Sequence, residues 1–167
     1  MNSNTWFSLT FRNDASIMTY AASLHDELVA TLLTLIPAAN FVTQCLFQPM
    51  PTYVADISVS KGGNVLGLDS EKNNALLWLL TGAFTTAAEE AIARPYLANF
   101  SASVEAYAES IGSNVAWRYL NYVDPTEDPL ASYGTDNIAF MKNVSAKYDP
   151  TGVFQSKSPA GFKLSAM

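Results

Sequence analysis

The sequence holds one cysteine and one histidine in 167 residues. With Cys45 alone, neither an intramolecular disulfide nor a cysteine-based metal site can form, and its apolar surroundings predict a buried, inert thiol. His25 as the sole imidazole excludes histidine-rich zinc and iron centres, so no metal is expected. It is expected on the wet side of a helix or at a cap. Charge is scarce at 14% of residues, and a net charge of −6 argues against nucleic acid or an anionic membrane as a partner. No apolar run reaches the length needed to span a bilayer, and the polar, uncharged start Met1-Asn2-Ser3-Asn4-Thr5 is not a secretory leader. A cytoplasmic location is therefore the expectation. Glycine-rich phosphate motifs are lacking as well. Lys61-Gly62-Gly63-Asn64 fits neither GxGxxG nor GxxxxGK[ST] and reads as a turn between two short extended stretches. No cofactor is expected to be held by these residues.

Apolar residues are abundant instead, at 49%. That excess predicts apolar surface covered by something other than the chain's own fold, most simply a second copy in a homodimer. Residues 5–11 alternate as a strand, with Phe7, Leu9 and Phe11 on one side. Leu24, Leu28, Leu32 and Ile36 recur at helical spacing over 15–36, after Asn13 or Asp14 as a cap and before Pro37. In the strand 40–48, Phe41, Thr43, Cys45 and Phe47 share one face, while Val42, Gln44, Leu46 and Gln48 share the other. Residues 74–84 are apolar on both sides, as a central strand is. Thr86 and Glu89 form a capping box for a helix to about Ile111, with Pro95 inside it and Gly112 ending it. A last helix to Lys147 is capped by Thr135 or Asp136, and an extended tail follows its exit turn at 148–152.

Strand, helix, strand, strand, helix, strand is the order of a ferredoxin-like α+β domain, an antiparallel sheet with two long helices on one face. The chain reads as one such domain over 1–167, with a C-terminal loop and helix added. Gln44 and Gln48 then lie on the sheet's second face, where two amides either bond a neighbouring loop or line a pocket.

Residues 117–134 form the most distinctive stretch. Tyr119-Leu120-Asn121-Tyr122 is expected as a short strand running into an ordered loop, with Tyr119 and Asn121 on one face and Tyr122 on the other. Tyr119-Leu120-Asn121-Tyr122-x-Asp124, Ser132-Tyr133-Gly134 and Lys147-Tyr148-Asp149-Pro150-x-Gly152-Val153-Phe154 together resemble the C-terminal signature of berberine-bridge-enzyme-like FAD-linked oxidases. The segments 41–49 and 62–69 have counterparts in the fungal branch, and Met1 falls about where the last third of such an oxidase begins. The resemblance implies a truncated substrate-binding domain without its flavin domain, in which residues matching Tyr119, Asn121 and Tyr122 stand at the flavin ring and the reacting carbon.

Where the resemblance implies a polar or acid/base group, often a carboxylate, on the strand 41–48, Gln44 and Gln48 stand, and an amide cannot act as a base. The expected catalytic groups are Tyr119, Tyr122, Gln44 and Gln48, and the expected substrate- or cofactor-binding groups are Asn121, Trp117 and Tyr133. Three functions remain open. One is a cofactor-free isomerisation or cyclisation of a small apolar natural-product intermediate. The second is the C-terminal portion of an oxidase that needs FAD from elsewhere, and the third is a non-catalytic binder.

Overall fold

The computed structural model describes residues 3–166. The alternating pattern at the start forms β1 (Ser3–Arg12), and Asp14 then caps α1 (Ala15–Leu33) by accepting from Ser16 N at 2.9 Å. Next come β2 (Phe41–Met50), α2 (Thr52–Ser60) and β3 (Ala75–Phe84). α3 (Ala87–Ser110) opens on the Thr86 and Glu89 capping box, a feature that stabilises a helix by about 0.5–2 kcal/mol, and runs through Pro95. β4 (Asn114–Val115), α4 (Thr135–Tyr148) and α5 (Val153–Ser156) follow.

The sheet is four-stranded in the order β2-β3-β1-β4 with every pairing antiparallel, which is the ferredoxin-like arrangement. α1 and α3 share one face. There Phe7, Leu9 and Phe11 from β1 meet Leu76, Trp78, Leu80 and Phe84 from β3, with Ile17, Leu28 and Leu32 from α1 and Leu97 and Val104 from α3 above them. Each such side chain contributes roughly 1.5–3 kcal/mol on burial, which fixes which face the helices take. Gly82 lets α3 approach, since a Cβ there would lie 2.7 Å from Leu97 Cδ2.

The second face is partly covered by the chain itself. Leu77 packs with Trp117, Leu130 and Tyr133 in a separate cluster joined by Met50, Leu66 and Tyr119. What remains open is the β2 side, where Val42, Gln44, Leu46 and Gln48 are exposed.

Several expectations from the sequence are corrected. The stretch from Asp56 to Ser60, expected to be extended, is helical as part of α2 (Thr52–Ser60), because Pro51 starts a turn whose residues are free of any sheet partner. The fourth strand is Asn114–Val115, and 119–122 is a turn closed by Tyr122 N donating to Tyr119 O at 2.9 Å. α4 begins after Gly134, whose φ of 91° breaks the preceding turn, without a side-chain cap from Thr135 or Asp136. The tail is not extended, for it contains α5 and a short 3-10 turn, Leu164–Ala166.

His25 is not on the wet side either: its Nε2 lies 3.0 Å from Thr43 Oγ1, and Phe100 lies beside the ring, so it belongs to the helix–sheet seam. Cys45 Sγ accepts from Trp78 Nε1 at 3.1 Å, and burial pushes its pKa up, as befits a structural thiol. Among the described residues, no helix is long and apolar enough to cross a membrane.

Candidate functional site

A cleft of about 300 Å³ opens on the second face of the sheet. β2 and β3 supply its floor with Gln48, Met50, Ala75 and Leu77, and Thr10 comes from β1. α2 forms one wall through Val54 and Ala55, while Leu66, Leu68, Glu71 and Asn73 close an end. Trp117, Tyr119 and Tyr122 form the opposite wall. The cleft is lined mainly by apolar and aromatic groups with a few convergent polar ones, as small-molecule sites are.

The aromatic wall is built by stacking and by a few hydrogen bonds. Trp117 lies between Tyr119 and Tyr133, at centroid distances of 5.9 and 6.2 Å, and donates Nε1 to Leu66 O at 2.7 Å. Leu66 is brought there by the turn at Gly67, where φ is 71° and a Cβ would fall 2.5 Å from Tyr133 O, so that only glycine fits. Tyr119 and Tyr122 meet edge to face at 4.9 Å, and Tyr122 also leans on Trp6 at 5.8 Å. Asn121 Nδ2 donates to the Tyr119 phenolic oxygen at 2.9 Å, which leaves the Tyr119 proton to be given to something in the cleft.

The turn carrying these tyrosines is tied to the far side of the sheet. Asp124, 1% exposed, takes Arg94 Nη2 at 2.7 and 2.5 Å and is further held by Thr126 N and Oγ1. Arg118 bonds the carboxylate of Glu105 on α3 and stands 3.8 Å from Glu127, whose Oε2 accepts from Asp124 N at 2.6 Å. Burial raises the Glu127 pKa, and the Asp124 N–H and the Arg118 charge offset only part of the rise.

Of the residues singled out from the sequence, Trp117, Tyr119, Tyr122 and Gln48 come together in the cleft. Gln44 sits four residues up β2, outside it, and receives Thr81 Oγ1 at 3.4 Å. Asn121 is exposed and reaches the cleft only through Tyr119. Tyr133 lies behind Trp117, where its hydroxyl accepts from Leu120 N at 3.2 Å and burial raises its pKa.

Sequence reasoning missed Thr10, Glu71 and the α2 wall. Alternation in β1 does place Thr10 opposite Leu9, but only the completed fold shows that this side faces a cavity. Among the described residues, Glu71 is the one charged group lining the cleft. Burial alone would raise its pKa, yet hydrogen bonds from Asn73 N and Nδ2 and the nearby Arg12 charge bring it below the usual value, so it stays a carboxylate.

This donor set does not form a site for a flavin dinucleotide. Among the described residues, the cleft has no cationic side chain, and the Gly62-Gly63 turn follows the C-terminal end of α2, which offers carbonyl oxygens to a pyrophosphate instead of N–H groups. What the cleft can do is orient a small, neutral, largely apolar molecule and polarise an oxygen of it through phenol, amide and hydroxyl donors. Among the described residues, no cluster of His, Cys, Asp and Glu is placed to hold a metal ion.

No protein-family model matches the chain, and no solved structure matches it. It is similar to the FAD-dependent monooxygenase drtC of Aspergillus calidoustus, 32% identical over 98% of the chain and 32% of that protein. The FAD-dependent monooxygenase sdcF of Emericella nidulans is 30% identical over 93% of the chain and 32% of its own length. The bifunctional solanapyrone synthase of Alternaria solani is 30% identical over 70% of the chain and 22% of its own length. These matches correct the resemblance to berberine-bridge-enzyme-like oxidases, since drtC and sdcF carry the name of FAD-dependent monooxygenases, a different family. The chain thus resembles fungal flavin-dependent proteins, and it spans about a third of the length of those two curated relatives.

Proposed function

We propose that the chain holds a small, neutral, mostly apolar organic molecule in the cleft and serves as the substrate-holding unit of a flavin-dependent oxidation of a natural product, the flavin being bound by residues other than these. The observation that carries this reading is the lining itself: aromatic and aliphatic walls, neutral donors from Tyr119, Tyr122 and Gln48, and no cation among the described residues. A neutral donor set suits a neutral substrate, because burying an unpaired charge costs far more than burying a hydroxyl. The similarity to the FAD-dependent monooxygenases supports the oxidative role.

The same donors favour a second reading, a redox-neutral isomerisation or cyclisation that needs no flavin. Incubating the purified chain with apolar fungal metabolites separates the two. A product of unchanged mass formed without flavin supports the second. Loss of two hydrogens or gain of an oxygen atom, seen only when a flavin-carrying polypeptide is present, supports the first. Binding of a neutral aromatic ketone should be removed by Val54→Trp, which fills the mouth from an exposed wall; binding that survives this change would place the site elsewhere.

We also propose that the chain forms a homodimer through the free edge of β2. Among the described residues, that strand has β3 as its one neighbour; it exposes Val42 and Leu46 and contains no charged residue, so a two-fold partner can add its own β2 without opposing like charges. Light scattering should give about twice the 18.1 kDa chain mass, and Val42→Lys with Leu46→Lys should halve it. A monomer at micromolar concentration would rule this interface out.

A further inference from the structure

We propose that the hydroxyl of Thr10 is the polar anchor of the cleft, donating a hydrogen bond to the carbonyl oxygen of a neutral, otherwise apolar ligand; this rests on the reading of the cleft as a small-molecule site. Thr10 lines the cleft, is 1% exposed, and its Oγ1 has no hydrogen-bond partner among the described residues. The reason is its setting. Its cross-strand neighbours are Leu77 on β3 and Val115 on β4, which offer no side-chain donor or acceptor on that face.

A buried hydroxyl without a partner costs stability, and valine would fill the same position without that cost. Threonine is explained if something entering the cleft completes it. The surrounding groups define that visitor. Leu77, Leu66 and Met50 ask for hydrocarbon, Trp117 and Tyr119 for a flat or unsaturated body, and the ionised Glu71 repels an anion. A molecule with one carbonyl on an apolar frame meets all of these demands.

Ser8 serves as an internal control. Its Oγ is also buried and unpaired on the same side of β1, but it does not line the cleft.

The test uses the solvatochromic ketone prodan and a counterpart in which a methylene replaces the carbonyl, titrated against wild type, Thr10→Val, Ser8→Ala and Val54→Trp. Wild type should bind the ketone about three- to tenfold more tightly than the methylene compound. Thr10→Val should erase that preference and blue-shift the bound ketone's emission, while Ser8→Ala should leave both unchanged. Without ligand, Thr10→Val should melt at the same temperature as wild type or higher.

Equal affinity for the two probes in wild type, or a preference that survives Thr10→Val, overturns the role of Thr10 while leaving the cleft as a binding site. A lower melting temperature for ligand-free Thr10→Val also overturns it, because the hydroxyl would then have a partner, ordered water included, within the fold. If neither probe binds, or Val54→Trp binds both as wild type does, the reading of the cleft falls and the anchor with it.

Discussion

Arg94 Nη2 on α3 donates to both carboxylate oxygens of Asp124, and so fastens the turn that carries Tyr119 and Tyr122 to the helical side of the sheet. Arg94→Ala leaves a buried carboxylate with only Thr126 to satisfy it. The loss should be about 2–3 kcal/mol, toward the low end because Arg94 is itself partly exposed. Asp124→Asn keeps the Thr126 bonds and should cost less. Thermal melting of the two variants checks the order, and cleft binding should weaken in both.

His25 should make the fold sensitive to mild acid. Burial lowers its pKa from the ordinary 6.5, opposed by Asp26, so the unfolded chain takes up the proton first as pH falls. Its contribution to stability is complete above 6.5 and is lost as pH drops from there through the lowered folded pKa. His25→Gln, which keeps a polar group near Thr43, should flatten the melting temperature across that window. An unchanged slope would mean another group titrates there.

Glu127 acts with the opposite sign. Its folded pKa is raised above 4.5, so the folded state holds the proton longer and stability falls as pH rises from 4.5 through the folded value. Glu127→Gln should remove that fall and melt no lower than wild type at neutral pH, since the amide oxygen still accepts from Asp124 N.

Gly67→Ala should destabilise the wall of the cleft by about 1–3 kcal/mol, because the new Cβ meets the Tyr133 carbonyl and φ is positive. The indole of Trp117, hydrogen-bonded to Leu66 O, reports the change as altered fluorescence before global unfolding.

Glu71→Gln should relax discrimination against anions. The ratio of affinities for a neutral ketone over its carboxylate analogue should drop by about three- to tenfold. Calorimetry on the pair measures it.

The elements legible in the sequence were those whose periodicity is long and whose partners are close by. β1 and α1 each carry a buried face written at regular spacing, β3 is apolar on both sides and α3 opens on its capping box, and with β2 their order leads to the ferredoxin-like sheet even though the last strand lies at Asn114–Val115. The Tyr119 turn was not legible as such because its shape depends on Arg94, 30 residues upstream of Asp124. α2 was hidden by Ile57 and Val59, β-branched residues in a stretch that read as extended, although Tyr53, Val54 and Ile57 keep helical spacing. Tyr119, Tyr122, Trp117 and Gln48 could be singled out because aromatic and amide groups beside a loop stand out, and all four line the cleft. Thr10 was not, since nothing in an alternating strand announces that one hydroxyl lacks a partner.

α2 has no buried residue, yet it forms a wall of the cleft. It is fastened by Thr52 N to Asn74 Oδ1 at 3.1 Å and by Asn64 Nδ2 to Ser58 Oγ at 2.6 Å, with little hydrophobic weight behind them. Its amides should therefore exchange with solvent deuterium by a local opening far smaller than the global one that exposes β3. With such an opening, an occupant that quiets the mouth would give up part of its affinity as the entropy of ordering those nine residues.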